Sequence, residues 1–178
     1  MDNDYFQFKQ FRVVQRQAGM KVTTDSCVFG ALLKNILPVE KINLLDIGTG
    51  TGLLALMVAQ LRPEARMTAV EVDVEAFRQA QENIGKSPWS DRITLVHQAV
   101  QEYQKTASKK FEVIISNPPF YAAHQHSLDS RRAKAHHTVT LSQADLAATV
   151  EHLLMPDGIF VVLLPSFEME KLRNELKQ

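Results

Sequence analysis

Short apolar runs alternate along the chain with longer stretches in which apolar residues recur every three or four positions. The first pattern is typical of buried strands and the second of amphipathic helices. Five strands are predicted: Ile42–Ile47, Met67–Val72, Ile93–His97, Phe111–Ile115 and Ile159–Leu164. Six helices are predicted, the first beginning at Thr24-Asp25-Ser26 and ending before Pro38, and the others covering Leu53–Leu61, Val74–Ile84, Val100–Lys105, Ser142–Met155 and Glu168–Lys177.

Strands that alternate with helices predict an α/β, Rossmann-like fold, with a central, mostly parallel sheet and helices on both faces. The chain has 178 residues, and we expect a single domain with an N-terminal arm and helix at 1–38 and a core at 39–178. A ligand of such a sheet lies across the carboxyl ends of the central strands, where strand order reverses. Three groups of residues lie at the ends of strands on that rim: Asp46–Gly52, Glu71 and Asn117–Phe120.

Gly48, Gly50 and Gly52 separate the first predicted strand from the helix that follows it. Glycine allows a sharp turn and a close approach of the backbone to a ligand, and the helix N-terminus presents free N–H groups there. A nicotinamide fingerprint requires its third glycine at position 53, which is Leu53. With Asp46 two residues before it, Gly-x-Gly-x-Gly instead resembles motif I of S-adenosylmethionine (SAM) dependent methyltransferases.

Two acidic side chains near this loop are candidate cofactor ligands. Glu71 follows the loop by about 20 residues at a strand end, where an acid commonly accepts ribose hydroxyls. Asp73 is the alternative, or else the cap of the next helix. Asp46 either interacts with the methionine amino group of a cofactor or only holds the turn.

A second motif, Asn117-Pro118-Pro119-Phe120, follows the fourth strand. Two prolines cannot continue a sheet, since each lacks a backbone donor, but they stiffen a backbone whose carbonyls point into a pocket. An exocyclic amine is a poor nucleophile because its lone pair is delocalised. Accepting its hydrogens on the Asn117 amide oxygen and the Pro118 carbonyl favours the pyramidal, nucleophilic form, and Phe120 can stack on the base.

Downstream of such a glycine loop, this motif resembles the methyltransferases that act on adenine N6, guanine N2 or protein glutamine. Within them, the chain is similar to the bacterial tRNA (adenine-N6) methyltransferases that act at adenine 37 of valine tRNA. The resemblance covers nearly the whole chain. It is carried by Phe8–Phe11, Met20–Ser26, Leu45–Gly48, Gln81–Ile84, Ser87–Trp89 and Ile114–Pro119.

The resemblance implies a class I SAM methyltransferase fold, SAM as the cofactor and tRNA as the partner. It implies cofactor contacts at Thr24, Asp25, Asp46, Gly48, Gly50, Gly52 and Glu71. It assigns Asn117, Pro118 and Phe120 to the target base.

Three departures from the family pattern affect these expectations. The family's acid after the third strand aligns with Val100, so a backbone contact near Ala99 takes its place. Phe120 stands where Tyr is common, which preserves stacking. The family continues with a C-terminal antiparallel strand pair, so we expect this chain to be truncated at its C-terminus.

Two basic stretches are candidate RNA contacts, and each has a plainer interpretation. Arg131, Arg132 and Lys134 lie in 121–140 and either hold phosphate or belong to a solvated loop. Aromatic and basic residues also interleave between Tyr5 and Met20, where they either bind RNA or form an arm packed on the core.

The composition narrows the class of protein to which the chain can belong. Lys plus Arg and Asp plus Glu each number 20, so any nucleic-acid contact comes from a local patch. Single Cys27 and the lack of a signal peptide or membrane span indicate a cytoplasmic protein. Four histidines between 124 and 137 lack the partners of a metal site, so we expect none. The oligomeric state stays open, with a monomer favoured.

The leading hypothesis is methyl transfer from SAM to the N6 amine of a tRNA adenine. One alternative keeps the chemistry and changes the acceptor to rRNA guanine N2, DNA adenine N6 or a protein glutamine. Another is a SAM-binding fold without catalysis that binds RNA. The intact Asn117–Phe120 motif argues against the last alternative, since a non-catalytic site has no use for it.

Overall fold

The computed structural model describes residues 4–16, 20–118 and 141–177. The chain begins with an antiparallel hairpin, β1 (Tyr5–Gln7) and β2 (Arg12–Val14), followed by helix α1 (Thr24–Ile36). The elements that follow, in chain order, are β3 (Asn43–Ile47), α2 (Leu53–Leu61), β4 (Arg66–Glu71), α3 (Val74–Gly85), a 3₁₀ turn (Ser90–Arg92), β5 (Ile93–His97), α4 (Val100–Thr106), β6 (Phe111–Ser116), α5 (Gln143–Leu153), β7 (Leu154–Val162) and α6 (Ser166–Glu175).

The described residues contain a five-stranded sheet in the order β5-β4-β3-β6-β7, and every neighbouring pair in it is parallel. The chain builds outward from β3 through β4 to β5, and then returns to the other side of β3 with β6 and β7. The strand order therefore reverses between β3 and β6. This is where the sequence places the glycine loop and Asn117.

Helices cover both faces of the sheet, because alternate residues of each strand point to opposite sides. Leu44 belongs to the core under α1, α2 and α3. Its neighbour Leu45 belongs to the opposite core, which Val100 of α4, Leu146 of α5 and Leu172 of α6 complete. The predicted architecture, with a mostly parallel sheet and helices on both faces, is confirmed.

The last predicted strand is wrong at its start. Strand β7 begins at Leu154 rather than Ile159, and the helix before it ends at Leu153 rather than Met155. Leu154 pairs with Phe111 and Ile159 pairs with Val113. Between these two pairs β7 advances by five residues while β6 advances by two. The extra residues between the two pairs form an irregularity in β7. In the sequence this segment resembles a turn, because it contains Pro156 and Gly158.

Helix α1 is capped one residue earlier than the sequence predicts. The cap is Thr23, whose hydroxyl oxygen accepts the Ser26 N–H at 3.2 Å, while the Ser26 hydroxyl oxygen accepts the Thr23 N–H at 3.0 Å. This reciprocal pair satisfies two donors that a helix start otherwise leaves free. Thr24 and Asp25 therefore lie within the first turn of the helix.

No helix in the described ranges is long and apolar enough to cross a membrane. Among the same residues, no group of three or more His, Cys, Asp or Glu side chains could hold a metal ion. The four histidines between 124 and 137 lie outside the described residues.

Buried Arg62 joins the end of α2 to the end of α1. Its guanidinium donates to the carbonyl oxygens of Lys34 at 2.7 Å, Leu37 at 2.8 Å and Pro38 at 2.7 Å. These carbonyls lie at a helix C-terminus, where they have no partner within the helix and where a positive charge is favourable. Arg62 therefore fixes α1 against the central layer.

We expect Arg62→Ala to lower the free energy of unfolding by about 2–4 kcal/mol, because it leaves several carbonyls without a charged donor. Urea unfolding of the two proteins measures the difference. Arg66→Ala, at the exposed start of β4, is the matched control and should change stability by less than about 0.5 kcal/mol. Equal losses in the two variants would contradict this role for Arg62.

Candidate functional site

The loop between β3 and α2 depends on its three glycines. Gly48, Gly50 and Gly52 have φ angles of 68°, 58° and 81°, in the left-handed region that other residues rarely adopt. A Cβ added to Gly48 or Gly50 would have no atom of the described residues within 4 Å, apart from its chain neighbours, whereas one added to Gly52 would lie 3.4 Å from Ile84. The first two glycines therefore face open space that a ligand can fill, and the third packs against α3.

The loop is held by several neighbours along its length. The N–H groups of Gly48 and Thr49 donate to the Val70 carbonyl at 2.9 and 3.1 Å. The Gly50 N–H donates to the Glu71 carboxylate at 2.8 Å, and the Thr51 carbonyl accepts from Asn83 at 2.9 Å. The loop shape is therefore set before any ligand arrives.

Asp46, the last residue but one of β3, has no exposed surface. Its Oδ2 accepts the Thr49 hydroxyl at 2.6 Å, and none of the described residues donates to its Oδ1. Burial, together with the nearby charge of Glu71, raises the pKa of Asp46 to about 7 despite the lowering effect of the hydrogen bond from Thr49. Asp46 thus holds the turn, and its predicted contact with a cofactor remains a prediction.

Glu71 and Asp73 have different roles in the structure. Glu71 is 7% exposed, and its Oε1 accepts the N–H groups of Val72 and Asp73, both at 2.9 Å. Burial raises the pKa of Glu71, against the lowering effect of these bonds. Asp73 instead caps α3, since its Oδ1 accepts the N–H groups of Glu75 and Ala76 at 3.1 and 2.8 Å.

Because Asp73 is committed to capping α3, Glu71 is the acid that remains beside the loop. A carboxylate has about four acceptor positions, and the backbone bonds to Glu71 occupy three of them. One position is left for a ligand hydroxyl.

Asn117 directly follows β6 on the same rim as the glycine loop. Ser116 pairs with Ile47 across the two central strands, and its hydroxyl donates to the Ile47 carbonyl at 2.9 Å. The Asn117 amide oxygen is shielded from solvent, and none of the described residues donates to it. A buried polar atom without a partner is costly, so this oxygen is a candidate acceptor for a ligand N–H.

The remaining predicted site residues occupy several environments. Thr24 and Asp25 are exposed in the first turn of α1, and their contact with a cofactor stays a prediction. Ala99 caps α4, and its carbonyl accepts the N–H groups of Glu102 and Tyr103. Val100, where the family has an acid, is buried in the core. Pro118 is half-buried at the end of the described range.

Four predicted site residues lie outside the described residues: Phe120, Arg131, Arg132 and Lys134.

Asn83 is not among the site residues predicted from the sequence, although its hydrogen bonds reach the loop. The spacing of residues in α3 does hint at such a role. Asn83 is a polar residue on the buried face of the helix, next to Ile84 and at helical spacing from Ala76 and Ala80. A polar residue on a buried helix stripe indicates a specific hydrogen-bond partner. The partner itself could not be read from the pattern.

Solved structures with the same architecture define the fold. A SAM-dependent methyltransferase from Agrobacterium tumefaciens matches with a TM-score of 0.69 and 15% identity, over 98% of this chain and 57% of that one. TrmN from Thermus thermophilus matches with a TM-score of 0.59 and 21% identity, over 83% of this chain and 40% of that one. The fold is that of the class I SAM methyltransferases.

Within that class, residues 25–142 match the family model described as "Methyltransferase small domain". The chain belongs to this family of methyltransferases. It is 48% identical over 163 residues to a protein of Dyadobacter fermentans and 42% identical over 173 residues to one of Parabacteroides distasonis. Both relatives are named tRNA1(Val) (adenine(37)-N6)-methyltransferase, and the family expected from the sequence is confirmed.

The two matches cover 92% and 97% of this chain, and 66% and 71% of the relatives. The chain thus spans about two thirds of the length of the curated relatives it matches.

The buried Asp46 generates a prediction about pH. Its folded pKa of about 7 lies above the value of about 3.9 in an unfolded chain, so the folded state holds an extra proton between those values. The stability from this group is fully present below about pH 4 and is lost as pH rises through 7. We expect Asp46→Asn to flatten that fall and to stabilise the protein at pH 8 by about 2–4 kcal/mol.

Urea unfolding from pH 4.5 to 8.5 measures this dependence, and Asp91→Asn on the exposed 3₁₀ turn is the matched control. Part of the slope should remain in Asp46→Asn, because burial also raises the pKa of Glu71. An unchanged slope in Asp46→Asn would show that Asp46 is ionised throughout this range.

Proposed function

We propose that the protein transfers a methyl group from SAM to the N6 amine of adenine 37 in valine tRNA. The observation that carries the proposal is the Asn117 amide oxygen, which is buried without a donor among the described residues and lies on the same rim as the glycine loop. An acceptor waiting at that position suits a substrate amine. The names of the relatives from Dyadobacter fermentans and Parabacteroides distasonis support this choice of acceptor.

The rim residues fit SAM as the cofactor. The open faces of Gly48 and Gly50 let a ligand lie against the backbone, and Glu71 has an acceptor position for a ribose hydroxyl. Glu71, and Asp46 once it is ionised, can place negative charge beside a cationic ligand. When bound, SAM supplies a methyl group on a sulfonium, which an amine nitrogen can attack directly.

The work of the protein is then to hold the amine. Asn117 Oδ1 accepts one N–H of the amine and the Pro118 carbonyl accepts the other, which favours the pyramidal nitrogen whose lone pair can attack. After transfer, the methylated nitrogen is positively charged and acidic enough to lose its extra proton to water. The chemistry therefore requires no general base.

The remaining substrate contacts are assigned to residues that were predicted from the sequence. Phe120 stacks on the target base, and Arg131, Arg132 and Lys134 neutralise phosphates near it. Thr24, Asp25 and the backbone at Ala99 complete the cofactor site. We place the reaction in the cytoplasm, with the protein acting as a monomer.

Mass spectrometry of nucleosides tests the proposed reaction. Full-length protein is incubated with SAM and bulk tRNA, and we expect N6-methyladenosine to accumulate. A valine tRNA transcript should be methylated, and the same transcript carrying guanine at position 37 should not. Methylated guanine, or methylation only of DNA or of a protein glutamine, would replace the proposed acceptor with another one.

Asn117 generates the mechanistic prediction. If its oxygen holds the amine most tightly as the nitrogen pyramidalises, then Asn117→Ala should lower kcat by on the order of 10²–10³ and leave SAM binding nearly unchanged. Phe120→Ala should also raise KM for tRNA, since stacking stabilises the bound base before reaction as well.

Single-turnover methylation at saturating SAM measures both variants. The informative result is that the two variants differ, with KM for tRNA raised only in Phe120→Ala. A general loss of folding would instead weaken SAM binding in both variants. A near-normal single-turnover rate in Asn117→Ala would reduce Asn117 to a turn residue and would require another group to hold the amine.

A further inference from the structure

Asn83 connects the N-terminal hairpin to the glycine loop. It lies on α3, is 2% exposed, and bonds both to Val14 of β2 and to Thr51 of the loop. These partners lie far from Asn83 along the chain, on two separate elements. A single buried side chain therefore bridges two parts of the molecule.

The carboxamide of Asn83 suits this position closely. Its oxygen accepts the Val14 N–H at 2.8 Å and its nitrogen donates to the Val14 carbonyl at 2.9 Å, which is the pairing a neighbouring strand would offer. The nitrogen also donates to the Thr51 carbonyl at 2.9 Å. Both N–H groups and the carbonyl are used, and a carboxylate of the same size could make only the first of these bonds.

The hairpin is a firm anchor for this bridge. Phe11 and Val13 are buried in the main core, and the Phe11 ring stacks on Phe8 at 4.4 Å and meets Trp89 edge-on at 5.6 Å. On the loop side, the neighbouring Ile84 side chain packs against Gly52. A displacement of the loop at Thr51 is therefore resisted by α3 and by the hairpin together.

We propose that Asn83 is a positioning residue that makes the N-terminal hairpin part of the cofactor site. It holds the Thr51 carbonyl, and with it the left-handed turn from Gly50 to Gly52, in the shape that receives the cofactor. The proposal rests on the proposed function only in taking SAM as the ligand of the loop. It has a reciprocal consequence: a ligand that orders the loop also steadies the hairpin, because coupling between two sites acts in both directions.

Asn83→Asp tests the bridge with little change in size. The carboxylate still accepts the Val14 N–H, but it cannot donate to the Thr51 carbonyl. The matched control is Gln81→Glu, the same amide-to-acid change two residues away on the exposed face of α3. Asn83→Ser, which removes the carboxamide without burying a charge, is used if Asn83→Asp does not fold.

Two measurements on the full-length protein distinguish positioning from general stability. Calorimetry should show SAM bound about tenfold more weakly by Asn83→Asp and normally by Gln81→Glu, since one carbonyl at the loop loses its donor. Methylation at saturating SAM should retain the kcat of the wild type, because the defect lies in holding the loop and not in the transfer.

Hydrogen exchange followed by mass spectrometry tests the coupling itself. SAM should slow exchange in both the loop and β2 of the wild type, and in the loop alone of Asn83→Asp. Unchanged SAM affinity in Asn83→Asp, or β2 exchange in the wild type that does not respond to SAM, would overturn the proposal. Because neither binding nor exchange requires tRNA, a wrong assignment of the acceptor base would leave these results intact.

Discussion

The left-handed turn from Gly48 to Gly52 is the constraint on which the site depends. Three glycines in a conformation that other residues rarely adopt carry a large entropic cost, because an unfolded glycine is unusually free. The structure offsets that cost with bonds from three directions: the Val70 carbonyl, the Glu71 carboxylate and the Asn83 amide. Removing one of them should loosen the turn without unfolding the sheet.

Two buried polar atoms without partners among the described residues lie together at the site rim. Such atoms are costly, and folded proteins satisfy most of them. Asp46 Oδ1 and Asn117 Oδ1 lie at the carboxyl ends of neighbouring strands, and no described residue donates to either. Asp46 carries or can acquire a negative charge, and Asn117 is neutral. This difference suits a cationic cofactor beside a neutral amine, which is the pairing that methyl transfer needs.

The hairpin shows that the N-terminal segment is more than a surface arm. Its buried Phe11 belongs to the same core as α1, α2 and α3, its half-buried Phe8 packs against that core, and its backbone at Val14 pairs with Asn83. The sequence alone is compatible with a segment that packs on the core or one that binds RNA. The structure establishes the packing, and RNA contact through the exposed Tyr5 and Arg12 side of the hairpin stays a prediction.

The sequence by itself determined the elements and the rim on which the site lies. Apolar periodicity is a local property, so it located the helices and the five strands of the sheet, although not the start of β7 or the N-terminal hairpin. Glycines in a loop reveal backbone freedom without reference to the rest of the chain. Only the structure shows that the Glu71 carboxylate faces the loop and the Asp73 carboxylate faces the start of α3, and the role of Glu71 as the ribose acceptor stays a prediction. Asn83 shows most clearly what the sequence alone cannot reveal. Its partners are the backbone groups of Val14 and Thr51, every residue type offers the same backbone groups, and only tertiary packing decides which of them come within hydrogen-bond distance.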